Sequence, residues 1–461
     1  MKINFTGLKT TFLSAVITVS AACASGIPVS ADVAANPVIS RSCPAYSASA
    51  QYSAASANDA FYYSFWYGSA PDYLAYDLSA VPEEQRQTVL AVWYNATGNY
   101  DYTVGQYGNS SNAMPSDYTI EVNAAEGGTY PEDGWVTAVT VEDNTLHSRQ
   151  HVVEMTGYNW IRIMITGNDG KEGGTSSINF DIHNVSDGVS DSWIFFGDSI
   201  TAGGMMNCYG TGFAELVNQI DSSYFPAQEN GGIGGILSTD GAANIDRWLE
   251  TFPGKYVSIA YGTNDSWGNQ TGAQKYYENT AYMIEAVIEA GKIPVVPKIP
   301  YASETGVNTY LDEYNAMIDK IYEDYPQVVK GPDFDALFRE NPDYLSGDGV
   351  HPNEQGYAAM RQLWAETMYT NVYTASDEPS SETTGGESII YGDADLSGEL
   401  GIADAVRIMS YVTDNAAYSM TESEINCADV YQRGDGISNL DALAVQKRLA
   451  QLLTELPESY F

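Results

Sequence analysis

An apolar run in the middle of the chain ends abruptly in a turn of small polar residues. Residues 193–196 have the sequence Trp-Ile-Phe-Phe, and residues 197–201 follow at once with Gly-Asp-Ser-Ile-Thr. An apolar run that is closed in this way is typical of a buried strand. A serine directly after such a strand lies at the carboxyl end of the sheet, where open α/β folds bind their ligands. The motif differs from the G-x-S-x-G elbow, because Ser199 is flanked by Asp198 and Ile200.

Three further stretches of similar composition follow along the chain. They are Asn-Gly-Gly-Ile-Gly-Gly at 230–235, Gly-Thr-Asn-Asp at 262–265 and Asp-Gly-Val-His-Pro at 348–352. Each alone fits an ordinary loop. Together with 197–201, and in this order, they resemble the sequence blocks of the GDSL or SGNH hydrolases. This resemblance implies a three-layer α/β/α domain with a parallel sheet and the activity of a serine esterase.

The pattern of residues 188–375 agrees with that architecture. Apolar strand-like runs at 193–196, 256–261 and 293–296 alternate with helical stretches at 212–220 and 280–290. Such alternation is typical of βα units, which build a parallel sheet with helices on both faces. Pro294 and Pro297 flank two valines, so we expect that strand to be short or close to an edge of the sheet.

The catalytic side chains follow from the needs of a serine nucleophile. A hydroxyl is a weak nucleophile and requires a neighbouring base. Of the four histidines, only His351 falls within 188–375. Asp348, three residues earlier, can accept a hydrogen bond from the far ring nitrogen, which fixes the tautomer and stabilises the imidazolium. We therefore predict a catalytic triad of Ser199, His351 and Asp348.

The family resemblance implies three donors for the oxyanion that forms during acyl transfer. They are the backbone N–H of Ser199, the backbone N–H of Gly235 and the side-chain amide of Asn264. Donors aimed at the developing charge lower the barrier to the reaction. Among the glycines of 231–235, Gly235 matches the spacing of the family.

Three other residues border the predicted site. Asp198 and Asp265 adjoin the catalytic blocks, and we expect them to cap nearby backbone groups at least as readily as to take part in catalysis. Trp267 follows the third block, and it either forms the floor of the substrate site or belongs to the core.

Residues 37–187 are predicted to form an all-β domain. Short runs at 90–94, 118–122, 160–165 and 177–182 alternate or nearly alternate between apolar and polar residues, and turn-forming residues separate them. Many short strands of this kind favour a β-sandwich or jelly roll. The segment loosely resembles the galactose-binding-like jelly rolls that accompany carbohydrate enzymes. Its aromatic residues can bind sugar, although packing in the sandwich is the simpler expectation.

The amino terminus and the charge bear on location and partners. Residues 1–31 are typical of a secretory signal peptide, because Lys2 and Lys9 precede or border an apolar core at 12–22, and small residues at 29–31 offer a cleavage site. No stretch is long and apolar enough for a membrane helix. The net charge of −40, without a basic cluster, argues against nucleic acid as a partner. We expect a secreted protein without a membrane span.

The carboxyl-terminal part begins after a polar linker at 376–390. Residues 391–457 contain two acidic loops, each followed by a helical stretch. Oxygen atoms at the spacing of a calcium loop are offered in the first loop by Asp393, Asp395, Ser397, Glu399 and Asp404. The second loop, which is one residue longer, offers Asp429, Asp435 and Asp441.

The two loops and helices resemble a type I dockerin, the module that attaches enzymes to the cohesins of a cellulosomal scaffoldin. This resemblance implies structural Ca²⁺, with no cofactor for catalysis, and a cohesin partner. With the esterase blocks, it implies a secreted esterase that removes acetyl groups from plant cell-wall polysaccharide, acetylated xylan being the first expectation. A pectin or mannan acetylesterase is one alternative. A non-catalytic carbohydrate-binding protein is another, against which the intact triad counts.

Overall fold

The structure is a computed structural model, and it describes residues 35–49, 53–59, 61, 64–95, 99–101, 106–108, 114–168, 175–205, 211–374, 391–394, 400–413, 418, 420–431, 437–449, 453 and 456. The predicted signal peptide at 1–31 and the predicted linker at 376–390 lie outside these residues. The chain divides into two compact units, Met1–Asp377 and Glu378–Phe461. Within the described residues, no helix combines the length and the apolar character needed to cross a membrane.

The first unit opens with a β-rich part. Its strands are β1 (Ala45–Ser47), β2 (Trp66–Ser69), β3 (Asp72–Asp77), β4 (Thr88–Tyr94), β5 (Asn99–Asp101), β6 (Gln106–Gly108), β7 (Pro115–Asn123), β8 (Val136–Val141), β9 (Ser148–Glu154), β10 (Trp160–Asn168) and β11 (Thr175–Asn184). They pair antiparallel in sheets of order β1-β3-β10-β7-β8 and β2-β11-β4-β9, and β5 pairs with β6. The four predicted strand runs are confirmed.

Alternation along the strands builds a core between the two sheets. In β10, Ile161, Ile163 and Ile165 are buried, whereas Arg162 and Met164 between them are partly exposed. Successive side chains of a strand point to opposite faces, so one face of β10 enters the core. The two sheets therefore form an antiparallel β-sandwich. Its classification as a jelly roll stays a prediction.

The second part of this unit is built on a parallel sheet. Its strands are β12 (Ser192–Gly197), β13 (Ala227–Gly232), β14 (Tyr256–Ala260), β15 (Ile293–Val296) and β16 (Val329–Lys330), in the order β13-β12-β14-β15-β16. The strand with the two prolines is confirmed as short and close to an edge, because β15 has four residues and, among the described strands, β16 alone lies beyond it.

Helices cover both faces of the parallel sheet. They are α1 (Ser199–Met205), α2 (Phe213–Ile220), α3 (Ser238–Leu249), α4 (Thr263–Ser266), α5 (Ala273–Glu289), α6 (Thr305–Asp324), α7 (Phe334–Glu340) and α8 (Glu354–Met368). Ile194 and Phe196 of β12 pack with α3, α5 and α6, while Trp193 and Phe195 pack with α2 and α8. The predicted α/β/α arrangement with a parallel sheet is therefore confirmed.

The sandwich and the parallel sheet share buried contacts. Leu90 of β4 forms a small apolar core with Ala227 of β13. Gln150 of β9 accepts a hydrogen bond from Ser192 Oγ (2.7 Å) and donates to Trp193 O (3.4 Å). Glu229 of β13 is 2% exposed, and burial raises its pKa to about 7. The edge strand β13 is therefore covered by the sandwich.

The second unit contains α9 (Ile402–Thr413), α10 (Glu422–Ala428) and α11 (Asn439–Leu449). Ala405 and Ile408 of α9 pack with Ala442 and Val445 of α11 in a small core. The helical stretches predicted after the two acidic loops are thus confirmed. Identification of this unit as a dockerin stays a prediction.

Candidate active site

Ser199 lies where β12, an inner strand of the parallel sheet, passes into α1. A Cβ at Gly197 would lie 2.1 Å from Thr201 Oγ1 and 2.8 Å from the carbonyl oxygen of Ala260, so the turn admits only glycine. Asp198 is buried, and its Oδ1 accepts a hydrogen bond from the N–H of Ile200 at 2.9 Å. The turn therefore presents Ser199 at the amino terminus of α1, where backbone N–H groups have no partner within the helix.

The three side chains of the predicted triad form one chain of hydrogen bonds. Ser199 Oγ lies 2.8 Å from His351 Nε2, and His351 Nδ1 lies 2.7 Å from Asp348 Oδ2. The side chains of His351 and Asp348 are 39% and 50% exposed. The arrangement is thus open to a substrate from solvent.

The other carboxylate oxygen of Asp348 anchors its own loop. Oδ1 accepts hydrogen bonds from Ser346 Oγ (2.7 Å) and from the N–H groups of Val350 (2.9 Å) and His351 (3.0 Å). Partial burial opposes ionisation of Asp348, but these hydrogen bonds and that from the His351 ring outweigh it, and the pKa lies well below its usual range. Asp348 is therefore an ionised acceptor for the ring N–H.

The remaining histidines lie buried in the sandwich. Burial lowers the pKa of His147 and of His151 to about 3, so both are neutral. His151 Nε2 lies 2.8 Å from the hydroxyl of Tyr118, and His183 Nδ1 lies 2.7 Å from the carbonyl oxygen of Asn36. These positions agree with the choice of His351 as the base.

The predicted oxyanion donors follow three adjacent strands. Ser199 follows β12, Gly235 follows β13 and Asn264 follows β14. Gly235 has φ +77°, a conformation that glycine adopts without strain. Asn264 Nδ2 donates a hydrogen bond to the carbonyl oxygen of Ile236 at 3.0 Å. This bond uses one amide hydrogen and orients the second, because an amide nitrogen carries two.

Asp265 connects two of these loops. Its carboxylate is buried and accepts hydrogen bonds from the N–H of Ser238, at 3.0 and 3.1 Å, and from Thr271 Oγ1 at 2.7 Å. Burial raises its pKa. The expectation that Asp198 and Asp265 cap backbone groups is thus confirmed. A further role of Asp265, holding the start of α3 against the Asn264 turn, has no signal in the sequence, since Ser238 lies 27 residues away.

Trp267 is not part of the core. Its side chain is 41% exposed directly after the helical turn α4 that carries Asn264. The structure therefore excludes one of the two predicted positions for this residue.

The predicted calcium ligands are described only in part. Asp393, Asp404, Asp429 and Asp441 are buried, whereas Asp395, Ser397, Glu399 and Asp435 lie outside the described residues. Asp404 Oδ2 accepts a hydrogen bond from the N–H of Gly401 at 2.7 Å. Asp441 accepts bonds from the N–H groups of Val430 and Tyr431, both at 2.8 Å, and from the N–H (2.8 Å) and hydroxyl (2.9 Å) of Ser438.

Within the described residues, no group of three His, Cys, Asp or Glu side chains is placed to hold a metal ion. Carboxylate and carbonyl oxygens are nevertheless the ligands that calcium prefers. Calcium binding stays a prediction for both loops.

Comparison with known proteins identifies the part of the chain that carries the site. Residues 195–359 match the GDSL-like Lipase/Acylhydrolase family. A multidomain esterase of Ruminococcus flavefaciens is 28% identical over 190 residues, which are 38% of this chain and 24% of the relative. A xylanase/beta-glucanase of the same organism is 35% identical over 78 residues, 15% of this chain and 10% of the relative. The chain thus spans about a quarter and a tenth of the lengths of these relatives.

Solved structures give weaker likenesses. A lipase/acylhydrolase of Enterococcus faecalis is 21% identical, with a TM-score of 0.33, and covers 39% of this chain and 95% of its own. A Bacillus subtilis protein is 15% identical, with a TM-score of 0.36, over 65% of this chain and 80% of its own. The predicted triad and oxyanion donors all fall within the matched residues 195–359, and the chain therefore carries an acylhydrolase domain of the GDSL/SGNH family.

Proposed function

We propose that the protein is a secreted carbohydrate esterase that removes acetyl groups from plant cell-wall polysaccharide by Ser-His-Asp acyl transfer. Acetylated xylan is the first candidate substrate. The observation that carries the proposal is the 2.8 Å hydrogen bond between Ser199 Oγ and His351 Nε2 in the GDSL-type domain. A serine hydroxyl in contact with an oriented imidazole is the arrangement that acyl transfer to serine requires.

His351 acts first as a base. The ionised Asp348 accepts the Nδ1–H of the ring at 2.7 Å and leaves Nε2 free of hydrogen. Nε2 takes the proton of Ser199 as Oγ attacks the acetyl carbonyl carbon. The imidazolium then gives this proton to the sugar oxygen as the bond between that oxygen and the acetyl carbon breaks, and the sugar hydroxyl leaves. In the second half, His351 takes a proton from a water molecule that attacks the acetyl-serine, and it returns a proton to Ser199 Oγ as acetate leaves.

The backbone N–H groups of Ser199 and Gly235 and the amide of Asn264 stabilise the tetrahedral oxyanion. The bond from Asn264 Nδ2 to Ile236 O favours catalysis because the amide is already oriented before the charge develops. Each such donor lowers the barrier by about 3 kcal/mol when it acts at the transition state.

Carbohydrate as the substrate class is supported by the two relatives. One is a multidomain esterase, and the other is a xylanase/beta-glucanase of the same organism. An acetylated polysaccharide is a substrate that an esterase and a xylanase would meet together. Acetylated pectin or mannan is the alternative substrate. A non-catalytic carbohydrate-binding role would leave the hydrogen-bonded triad without a purpose.

The proposal extends to the second unit, which we take as a calcium-dependent dockerin that binds a scaffoldin cohesin outside the cell. Exposed apolar side chains on its helices support a protein partner: Val406, Met409 and Val412 on α9, and Leu440 and Leu443 on α11. The spacing of three residues puts each group on one side of its helix. In the first loop, Asp393 and Asp404 would hold the cation with residues outside the described part of the chain.

The test is release of acetate from acetylated xylan, mannan and pectin, and hydrolysis of the small ester p-nitrophenyl acetate, by the full chain. We expect activity on the small ester, the highest polysaccharide activity on acetylated xylan, and loss of both activities in Ser199→Ala and in His351→Ala. Ser222→Ala, at an exposed serine of the same domain, is the control and should behave as the wild type. A His351→Ala variant that keeps more than about a tenth of the activity would exclude this mechanism.

A further inference from the structure

An exposed indole lies beside the candidate active site and has no role in the chemistry proposed above. The helical turn α4 carries Asn264, and Trp267 follows it at once with 41% of its side chain exposed. The indole therefore offers an apolar face with a polar N–H beside a residue of the candidate site, which is a surface that a ligand can contact.

The backbone around Trp267 is held in place. A Cβ at Gly306 would lie 2.8 Å from Trp267 Nε1 and 3.0 Å from Cδ1, so the edge of the indole rests directly on the backbone of Gly306. The hydroxyl of the buried Tyr314 lies 2.9 Å from Asp265 O and 3.0 Å from Asn269 Oδ1, and it accepts the N–H of Gly272 at 2.8 Å. A ring fixed in this way loses little conformational entropy when it binds a ligand.

The turn beneath Trp267 also supports the loop of the catalytic base. The N–H groups of Ser303 and Glu304 donate to the carbonyl oxygen of Gly349, at 2.8 and 3.1 Å. Ala302 and Val307 pack with Val350, which precedes His351, in a small core. Residues 302–307 therefore contact Trp267 on one side and the Asp348–His351 loop on the other. Trp267 lies on the rim that joins the predicted oxyanion side of the site to the base.

Exposed polar residues follow Trp267 in the chain and lie in the segment 302–307 that contacts it. Asn269, Gln270 and Ser303 are exposed, and Gln270 Nε2 donates to the carbonyl oxygen of Asn264 at 3.0 Å. A pocket for a long acyl chain is lined mainly by apolar side chains, and this rim is not. A pyranose ring has an apolar C–H face for an aromatic ring and hydroxyl groups at its edge for polar neighbours. The chemistry of the rim matches a sugar.

We propose that Trp267 forms a sugar-binding subsite, on which a pyranose ring of the polysaccharide stacks next to the acetylated residue. This inference rests on the proposed function and specifies it further. It makes Trp267 a residue that determines the preference for a polymer over a small ester, because p-nitrophenyl acetate has no sugar ring to place there.

The test compares the specificity constant kcat/KM for two substrates, acetylated xylan and p-nitrophenyl acetate. Trp267→Ala should lower the ratio of the two by roughly three- to tenfold, mainly through KM for xylan, which is the size of effect that one aromatic stacking contact gives. Trp267→Phe should restore most of the ratio, since a ring is retained. Tyr282→Ala, at another exposed aromatic residue, on the helix α5, is the control and should leave both constants as in the wild type.

An equal loss on both substrates would show that Trp267 only supports the fold of the loop, and unchanged constants for both substrates would show that no sugar contacts it. A loss confined to p-nitrophenyl octanoate would assign the ring to an acyl chain. Each of these results overturns the subsite.

Binding of xylohexaose to the full-length Ser199→Ala protein, measured by calorimetry, separates this inference from the esterase proposal. Binding that Trp267→Ala weakens supports the subsite even if the wild type proves inactive on every ester. Binding that the same change leaves intact refutes the subsite while the esterase proposal stands.

Discussion

Replacing Asp348 with asparagine should disable the base while leaving its loop in place. Asp348 Oδ1 accepts hydrogen bonds from Ser346 Oγ and from two backbone N–H groups. The side-chain oxygen of the asparagine must therefore occupy this position, because an NH₂ group there would face the two backbone N–H donors. The NH₂ group then faces His351 Nδ1, which was 2.7 Å from the carboxylate. A hydrogen bond in this position requires Nδ1 to be the acceptor, and the ring proton moves to Nε2.

An Nε2 that carries hydrogen cannot accept the proton of Ser199. We therefore expect Asp348→Asn to lower kcat by roughly 10³- to 10⁴-fold, or about 4–5.5 kcal/mol in the activation free energy, as an asparagine in this role does in serine proteases. The loss should be smaller than that in Ser199→Ala, because the nucleophile remains.

The assay measures hydrolysis of p-nitrophenyl acetate at saturating substrate, where the rate reports kcat, with Ser199→Ala as the background and circular dichroism as the check on folding. Asp343→Asn, an exposed carboxylate five residues earlier, is the matched control and should leave kcat unchanged. If Asp348→Asn retained more than about a tenth of the wild-type kcat, the tautomer of His351 would not depend on Asp348 and the reasoning would fail.

Three further predictions concern the oxyanion, a buried acid and the second unit. Asn264→Ala should lower kcat by roughly 10²–10³ with little change in KM, and a change in KM alone would make Asn264 a substrate-positioning residue. Burial raises the pKa of Glu229 to about 7, above the ~4.3 of an unfolded glutamate, so this carboxyl contributes stability that is present below about pH 4 and is lost as the pH rises through 7. Between about pH 5 and pH 8, the unfolding free energy of Glu229→Gln should therefore fall by roughly 2–3 kcal/mol less than that of the wild type. Denaturant unfolding at both pH values measures this, and an equal fall in the two proteins would contradict the prediction. Calcium should order residues 391–457 without affecting hydrolysis of a soluble acetyl ester. Calorimetry should show a larger loss of calcium binding for Asp393→Ala than for Asp429→Ala. Abolition of ester hydrolysis by a chelator would contradict the independence of the two units.

The sequence could place the candidate residues at one edge of the sheet because they follow the ends of parallel strands. Ser199, Gly235 and Asn264 come after three different apolar or glycine-rich segments, and parallel strands bring their carboxyl ends to one edge. His351 was identified by elimination, and the 2.8 Å contact with Ser199 agrees with it. The catalytic roles themselves stay predictions until they are measured.

The sequence could not show features that depend on tertiary packing. Strand β13 contains Gln228, Glu229 and Asn230 and ends in glycines, so no apolar pattern marks it as a strand. It is buried because the sandwich covers it, and no local pattern carries that information. Trp267 illustrates the same limit, because a tryptophan after a strand is equally compatible with a core and with a rim.

The hydrogen bonds of Gln150 with Ser192 and Trp193, and the burial of Glu229, have a consequence for how this protein can be cut or recombined. A truncated protein that begins near residue 188, without the sandwich, would expose an acidic side chain, a strand edge and an apolar patch to water at once. A sugar-binding module that is joined to its enzyme by a flexible linker can be exchanged between enzymes, because only the linker is cut. The fragment to clone, to crystallise or to graft onto another enzyme is therefore 35–374 as a whole, with the sandwich and the parallel-sheet part kept together.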